Sequence, residues 1–510
     1  MEGEVEKFVP SNQKDQNMDP VQKAMGAIGW WHIWVCGVVF LLKFPVAWHQ
    51  MAIIFLAPPI DSKCAVPANA SICSAECKQY SYDRRIFTET ITTEWDLVCD
   101  SQYLAHLSQT IFMLGILLGN VLFGSWSDKF GRRNPLVVAV IIQLITGVGS
   151  AFAPWFWLFC ILKFITGFAT GGTMVTSFVL VMELIGAKWR ELVSVLYQIP
   201  FNVGHLTLAA FGYYLRDWRW FQFGISIPSV VLISYYWLVP ESPRWLFTTG
   251  QIEESAQVLR KAAKQNGLPT ENIEVELEKA AALKQKENID KVVEKGNALD
   301  LVRTSNMCSK TVFICFNWLV CGLYFFGVAQ YIGHIGGNIF WNVAIGAGLE
   351  IPGTLICIVM MKYWGRKKSL IISNTLSGIA MLGIAFVSAD DESTMITLSS
   401  IGIVAMSISF PNVYVFAGEL FPTVIRNVGV GIASMIARIG SMLAPFVVGL
   451  GAANHALPPI IFGVVPLLGA IMVLWLPETM GQPLPETIED AENFGKKTKG
   501  VKDRVLASGV

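Results

Sequence analysis

GSWSDKFGRR, residues 124–133, has a partner in KYWGRKK, residues 362–368, and the two share a Gly-Arg core. That pair does not stand alone. Glu183 and Arg190 are seven apart, as are Glu419 and Arg426, and Pro240-Glu241 matches Pro477-Glu478. All three offsets are about 235 residues. Matching motifs at matching places mark a chain built twice.

What is repeated follows from composition. Of 510 residues, 53% are hydrophobic and only 15% charged. Apolar stretches of about 20 residues recur throughout, the length that crosses about 30 Å of hydrocarbon. The spans fall near 28–57, 104–126, 136–153, 155–180, 192–214 and 221–239 in the first half. In the second they fall near 311–332, 339–361, 369–388, 395–417, 427–450 and 457–476. The predicted fold class is therefore an all-α membrane protein of twelve transmembrane helices in two pseudo-symmetric six-helix bundles. A cavity lies between such halves. The formal net charge of zero gives no basic footprint for nucleic acid. The polar first residues are unlike a cleavable signal peptide.

Lys and Arg in the short loops set orientation. Lys129, Arg132 and Arg133 follow the second span, Lys188 and Arg190 the fourth, Lys362 and Arg366 to Lys368 the eighth, and Arg426 the tenth. Both termini are then expected in the cytosol. The chain divides into a tail (1–27), a first bundle (28–239), a cytoplasmic linker (240–310), a second bundle (311–476) and a tail (477–510). The linker has helical charge patterns but no phosphate loop, metal-ligand spacing or nucleophile arrangement, so no enzyme and no cofactor are expected.

The exterior loop, 58–103, holds Cys64, Cys73, Cys77 and Cys99 and the only Asn-X-Ser/Thr acceptor, Asn69. This reads as two disulfides, in one of three connectivities, in a glycosylated cap; four free thiols are the alternative. The other six cysteines lie in or beside apolar spans and read as packing residues.

Charges near the middle of spans are candidate site residues, since one there costs about 2.5–3.5 kcal/mol on insertion scales. Arg438 and Glu350 are central in spans eleven and eight, and Lys43 is central in span one. Trp218, Tyr324, Phe325, Phe326 and Tyr331 are candidate cavity walls, although any one of them taken alone is more often a packing residue. His205 reads as a wall residue rather than a proton carrier.

The chain resembles the major facilitator superfamily, through GSWSDKFGRR and through Lys163-Phe-Ile-Thr-Gly167, which has Lys where Arg is usual. Within it, TEWDLVC (93–99), VPESPRWL (239–246), GELFPTVIRN (418–427) and LPET (476–479) resemble the organic cation/anion/carnitine transporters, solute carrier family 22. The resemblance spans essentially the whole chain. It implies gates at the cytoplasmic motifs: Asp128, Gly131, Arg132, Arg133, Glu183 and Arg190 in one half, Gly365, Arg366, Glu419 and Arg426 in the other. Asp128 is expected at the N-terminal end of a neighbouring helix, and the Arg and Glu residues in ion pairs. It implies that Arg at position 438 goes with anion and carnitine-type members. Thr354 stands where anion-type members often have Lys.

The expected function is alternating-access transport of a small organic ion across the plasma membrane, with the lipid bilayer as the other partner. A zwitterion, such as a carnitine-like betaine or amino-acid derivative, suits a guanidinium and a carboxylate in one cavity. The alternatives are an organic cation facilitator using Glu350, an organic anion exchanger using Arg438 and Lys43, and a non-transporting receptor. A direct pair between Arg438 and Glu350 is the competing account of both residues. For the exterior loop, Asn69→Gln is expected to abolish a glycan-sized shift on gels of membrane-expressed protein. Unchanged wild-type mobility after enzymatic deglycosylation would refute it.

Overall fold

The computed structural model describes residues 19–66, 71–74, 76–290, 297–388, 391–452, 454–482, 484–485 and 487–494. Asn69 and the outer parts of both tails lie outside the described residues. Ten helices are long and apolar enough to span a bilayer. One of them, Ile339–Ile384, is two spans joined at Gly365, whose φ is 82°. The shorter apolar helix Leu457–Val473 completes twelve.

They are numbered α1 (Trp30–Met51), α2 (Tyr103–Phe130), α3 (Arg133–Ala151), α4 (Phe156–Leu184), α5 (Arg190–Tyr214) and α6 (Trp218–Leu238) in the first half. The second half has α7 (Ser305–Ile332), α8 (339–364), α9 (366–384), α10 (Glu392–Leu420), α11 (Arg426–Gly449) and α12 (Leu457–Val473). Close approach within the first half comes from two small-xxx-small repeats that interlock α2 and α4. A Cβ on Gly119 would meet Phe168 O at 2.0 Å, and one on Gly167 would meet Phe112 O at 2.2 Å.

Three spans are interrupted next to a proline: α1 at Pro45, α5 at Pro200, and α6, where Ile227–Ser234 winds as a 3-10 helix from Pro228. Pro45 has no N–H to give Leu41 O, and Phe44 N–H takes that carbonyl instead at 3.2 Å. The helix therefore tightens just before Lys43. Pro200 does the same to α5, which divides into Arg190–Leu196 and Ile199–Tyr214.

Between α1 and α2 the loop forms a hairpin, β1 (Ser62–Val66) antiparallel to β2 (Gln79–Tyr82), with Cys64 opposite Tyr80. The disulfides are Cys64–Cys77 and Cys73–Cys99. Thr90 and Thr93 cap each other's backbone, at 2.9 and 3.2 Å, and start a short turn that presents Glu94. Glu94 accepts from Trp218 Nε1 at 2.6 Å and pairs with Arg219, which also donates to Ala151 O and Ala153 O. Trp95 packs on Phe156, Phe159 and Trp218. The TEWDLVC stretch thus docks the loop onto the first half. Trp218, a candidate cavity wall by sequence, is placed in this anchor instead.

Behind the other end of the first half, the helix Ile252–Gln265 buries Ala256, Leu259, Ala262 and Ala263. Asn266, just beyond it, accepts from Trp31 N–H at 3.0 Å and so caps the start of α1.

Removing Glu94 strands a half-buried guanidinium and an indole N–H. Glu94→Ala is expected to cost about 1–3 kcal/mol and to lower the melting temperature in detergent. An unchanged melting temperature would mean that the ring contacts and the backbone bonds of Thr88 to Arg216 and of Trp218 to Glu89 hold the loop without Glu94.

Candidate functional site

At the end of the molecule opposite the hairpin, the two Gly-Arg turns are built alike. Gly131 (φ 91°) and Gly365 (φ 82°) adopt a backbone that side chains rarely take. A Cβ there would lie 2.4 Å from Glu241 Oε2 and 2.5 Å from Glu478 Oε2 respectively. That closeness lets Glu241 accept from the backbone N–H groups of Arg132 (2.6 Å) and Arg133 (3.2 Å). Glu478 accepts from Arg366 (3.0 Å) and Lys367 (3.1 Å). Each carboxylate thus caps a helix N-terminus, where negative charge is favoured.

The guanidinium groups then turn to the next helix. Arg132 reaches Glu183 at 2.7 Å and Arg366 reaches Glu419 at 2.9 Å. The Glu–Arg pairs that stand seven apart do not join each other, because each Glu takes the Arg of a Gly-Arg turn. Arg190 and Arg426 instead donate back to Ile185 O and Phe421 O, both at 3.2 Å. Arg133 lies over the Tyr236 ring at 5.2 Å rather than in an ion pair. Asp128, expected at a neighbouring helix end, pairs with Arg132 one turn along, at 2.6 Å.

Among the described residues, one ion pair crosses between the halves here. Arg366 also contacts Glu191 of α5, at 2.9 Å. Sequence reading missed Glu191 because its repeat counterpart, after Arg426, is the neutral Asn427. The adjacency to Arg190 was the available signal.

The interior between the halves holds the mid-span charges. Lys43 sits over the Tyr197 ring at 4.0 Å, where the breaks of α1 and α5 meet. Arg438 of α11 is 5% exposed, and its Nη2 lies 3.9 Å from the Met174 sulfur of α4. Its Nε has no partner, and no carboxylate pairs with Arg438 or Lys43 among the described residues. The two cations are within electrostatic reach of each other, and Tyr414 faces Arg438. A run of rings surrounds them: Tyr197 to Phe178, Phe178 to Tyr414, Tyr414 to Phe410, and Phe410 to Phe325, at centroid spacings of 5.5–6.4 Å.

Glu350 does not pair with Arg438. Its Oε1 lies 2.8 Å from His205 Nδ1 of α5, and both side chains are buried. One turn away on the same two helices, Asn202 donates to Thr354 Oγ1 at 2.9 Å, and Thr354 donates to Glu350 O. Phe325 contacts Phe201 of the other half at 6.1 Å, and Phe326 packs edge-on to Phe325. Tyr324 points into its own half and donates to Ser377 O. Tyr331 lines a separate cavity of about 570 Å³ at the hairpin end, with His106, Gln330 and His334.

Two helical halves, matched end motifs and buried charges on the seam between them define a membrane transporter rather than an enzyme. Residues 62–491 match the family described as sugar (and other) transporter. The chain is 35% identical to an organic cation transporter protein of Drosophila melanogaster, over 90% of this chain and 92% of that one. It is 34% identical to human organic anion transporter 3, over 81% and 76% of the two chains. The human organic cation/carnitine transporter 2 is also 34% identical, over 84% and 76%. The solved xylose transporter of E. coli superposes with a TM-score of 0.65 at 20% identity, covering 89% of this chain and 99% of that one. The chain belongs to the sugar (and other) transporter family of the major facilitator superfamily, within solute carrier family 22.

The Glu191 carboxylate is half-exposed, so Glu191→Gln is expected to remove about 0.2–1 kcal/mol from the cross-half contact. Arg366→Ala strands Glu419 as well, and breaking such a buried pair costs about 3–5 kcal/mol. Uptake per molecule at the cell surface is therefore expected to fall much further for Arg366→Ala. Equal losses would show that Arg366 acts only through Glu191.

Proposed function

We propose that the chain is an alternating-access transporter of small organic ions that bear a carboxylate, with zwitterions as the best fit. The observation that carries this reading is Arg438: a buried guanidinium with no carboxylate partner among the described residues. A guanidinium cannot shed its charge, so burying it calls for an anion. A substrate carboxylate is a bidentate match for it. The aromatic run and Glu350 then receive the cationic end. In this reading the membrane is the plasma membrane, both termini are cytosolic, and the Gly-Arg turns with Glu183, Glu191 and Glu419 form the inner gate. The hairpin cap lies outside.

A second reading, organic anion exchange, is favoured by one feature. Glu350 is already engaged by His205, while Lys43, within electrostatic reach of Arg438, is a second cation without a carboxylate partner among the described residues. Uptake of labelled carnitine, benzoate and tetraethylammonium separates the readings.

Arg438→Ala is expected to cost carboxylate-bearing substrates about 2–5 kcal/mol in affinity, inflated by the partner left unpaired. Arg438→Lys should rescue only part, because an ammonium lacks the planar fork. Arg438→Asp should abolish zwitterion and anion uptake. The reading fails if Arg438→Ala, present at the surface, takes up carnitine and benzoate with unchanged half-saturation and rate. It fails equally if the wild type carries tetraethylammonium and neither acid.

A further inference from the structure

The cavity at the hairpin end is lined by none of Lys43, Glu350 and Arg438, and it is built as a ligand site of its own. Its volume is about 570 Å³, within the range of sites that hold small organic molecules. Both halves wall it: Ile53, Ile54 and His106 belong to the first, Tyr331, Ile335 and Val448 to the second. The Cys73–Cys99 disulfide of the hairpin loop closes one side. Gln102, Ala452 and His455 also line it and are exposed, so it communicates with solvent on the hairpin face.

The lining selects by charge. No Asp, Glu, Lys or Arg among the described residues lines the cavity. An ion that enters leaves water and meets no counter-charge, which is costly. An uncharged molecule avoids that cost and gains by apolar burial against Ile53, Ile54, Ile335 and Val448. Two polar side chains fix its orientation. His334 Nδ1 lies 3.0 Å from Gln330 O. A carbonyl only accepts, so Nδ1 carries the proton, and Nε2 of the neutral ring is left as an acceptor. The Gln330 side chain is 5% exposed, and its Nε2 has no partner among the described residues. A buried amide donor without an acceptor is destabilising, and a ligand carbonyl relieves it.

We propose that this cavity is a second binding site, for uncharged and largely apolar organic molecules that carry a carbonyl acceptor, and that its occupant inhibits transport from outside. This rests on two parts of the proposed function, alternating access and a hairpin face that lies outside the cell. When the outer side opens, the wall from Tyr331 to Val448 moves away from the wall of Ile53, Ile54 and His106. The occupant touches both walls only while that side is closed. It therefore binds the closed form more tightly and shifts the population toward it. The transported ion binds elsewhere, so a saturating amount of it does not expel the occupant.

The test uses the full chain in cells and three photoprobes of one shape: para-benzoylbenzamide, uncharged, para-benzoylbenzoate, an anion, and para-benzoylbenzyl trimethylammonium, a cation. Each is added outside and irradiated, and the labelled peptides are identified by mass spectrometry. Uptake of labelled carnitine, benzoate and tetraethylammonium is measured alongside, without irradiation. The amide is expected to label the cavity wall at Met395 and to lower maximal uptake several-fold, with no recovery at saturating ion. The acid is expected to label Met174, beside Arg438, and the cation to leave the cavity unlabelled. Ala452→Trp fills the cavity from an exposed position, and Gln330→Leu removes the donor. Both are expected to transport as the wild type does, the first losing labelling and inhibition by the amide and the second weakening them several-fold. No label at Met395, or inhibition that saturating ion removes, overturns the second site and leaves the proposed function standing. Preferential labelling of the cavity by the acid or the cation also overturns it, since the cavity is then an entry for ions. Labelling without any loss of uptake overturns the inhibition. Uptake of none of the three ions removes the proposed function, and label at Met395 that both variants reduce still upholds the binding site. If Ala452→Trp fails to reach the surface, Gln330→Leu and the labelled position decide.

Discussion

A guanidinium inside a low-dielectric slab must be matched by acceptors, and this chain meets that constraint at one end and leaves it open in the middle. Arg132 and Arg366 are nearly buried, and each has carboxylates of other elements around it. Their backbones are held too, by Glu241 and Glu478 across glycines that admit no side chain. Arg438 is buried as deeply and has a thioether. The same residue type is therefore paired with carboxylates in two places and, among the described residues, has none in the third. What separates them is whether the fold supplies the counter-charge.

The repeat explains the clamps, and its failures locate the site. Carrying the Glu183-to-Glu419 offset inward sets Asn202 against Arg438 and His205 against Ser441. In the first half that helix face uses its Asn and His to bond across to Thr354 and Glu350 of α8. In the second half the same face carries a charge with no such partner. Glu191 against Asn427 is a further break, and it yields the one ion pair between the halves at that end among the described residues. Symmetry builds two stable bundles. The differences between them give the seam its chemistry.

The twelve spans, the two halves and the paired motifs were legible because each rests on local pattern: apolar length, loop charge and repeated spacing. The mid-span charges Lys43, Glu350 and Arg438 were legible for the same reason. Partner choice was not. Glu183 and Arg190 are close in sequence, but the helix ends between them, and Arg132, 51 residues earlier, wins Glu183. Glu350 has no sequence neighbour that announces His205, 145 residues away on the other half. Trp218 illustrates the opposite error. An aromatic residue at the start of a span is a reasonable cavity wall by composition, yet its indole N–H is committed to Glu94 in the hairpin loop. The disulfide pairing likewise depended on the hairpin register, which four cysteine positions alone do not set.

The helix breaks belong to the same account. Non-helical backbone at membrane depth is tolerated where it is buried in protein or lines a water-filled cavity. Pro45 and Pro200 each remove one backbone donor, and the two breaks lie against each other at Lys43 and Tyr197. The later turns of α1 and α5 approach closely through Gly204, whose added Cβ would meet Ala47 Cβ at 2.8 Å. The weakened turns sit where the unpartnered cations are. A ligand that binds Arg438 and draws Lys43 toward it pulls on the stretch of α1 least able to resist, and through Tyr197 on the same stretch of α5. Since α5 also carries His205 and Asn202, the bonds to α8 feel that pull. In the proposed reading, binding at Arg438 and release of the seam are thereby coupled through the two proline breaks and the charges between them.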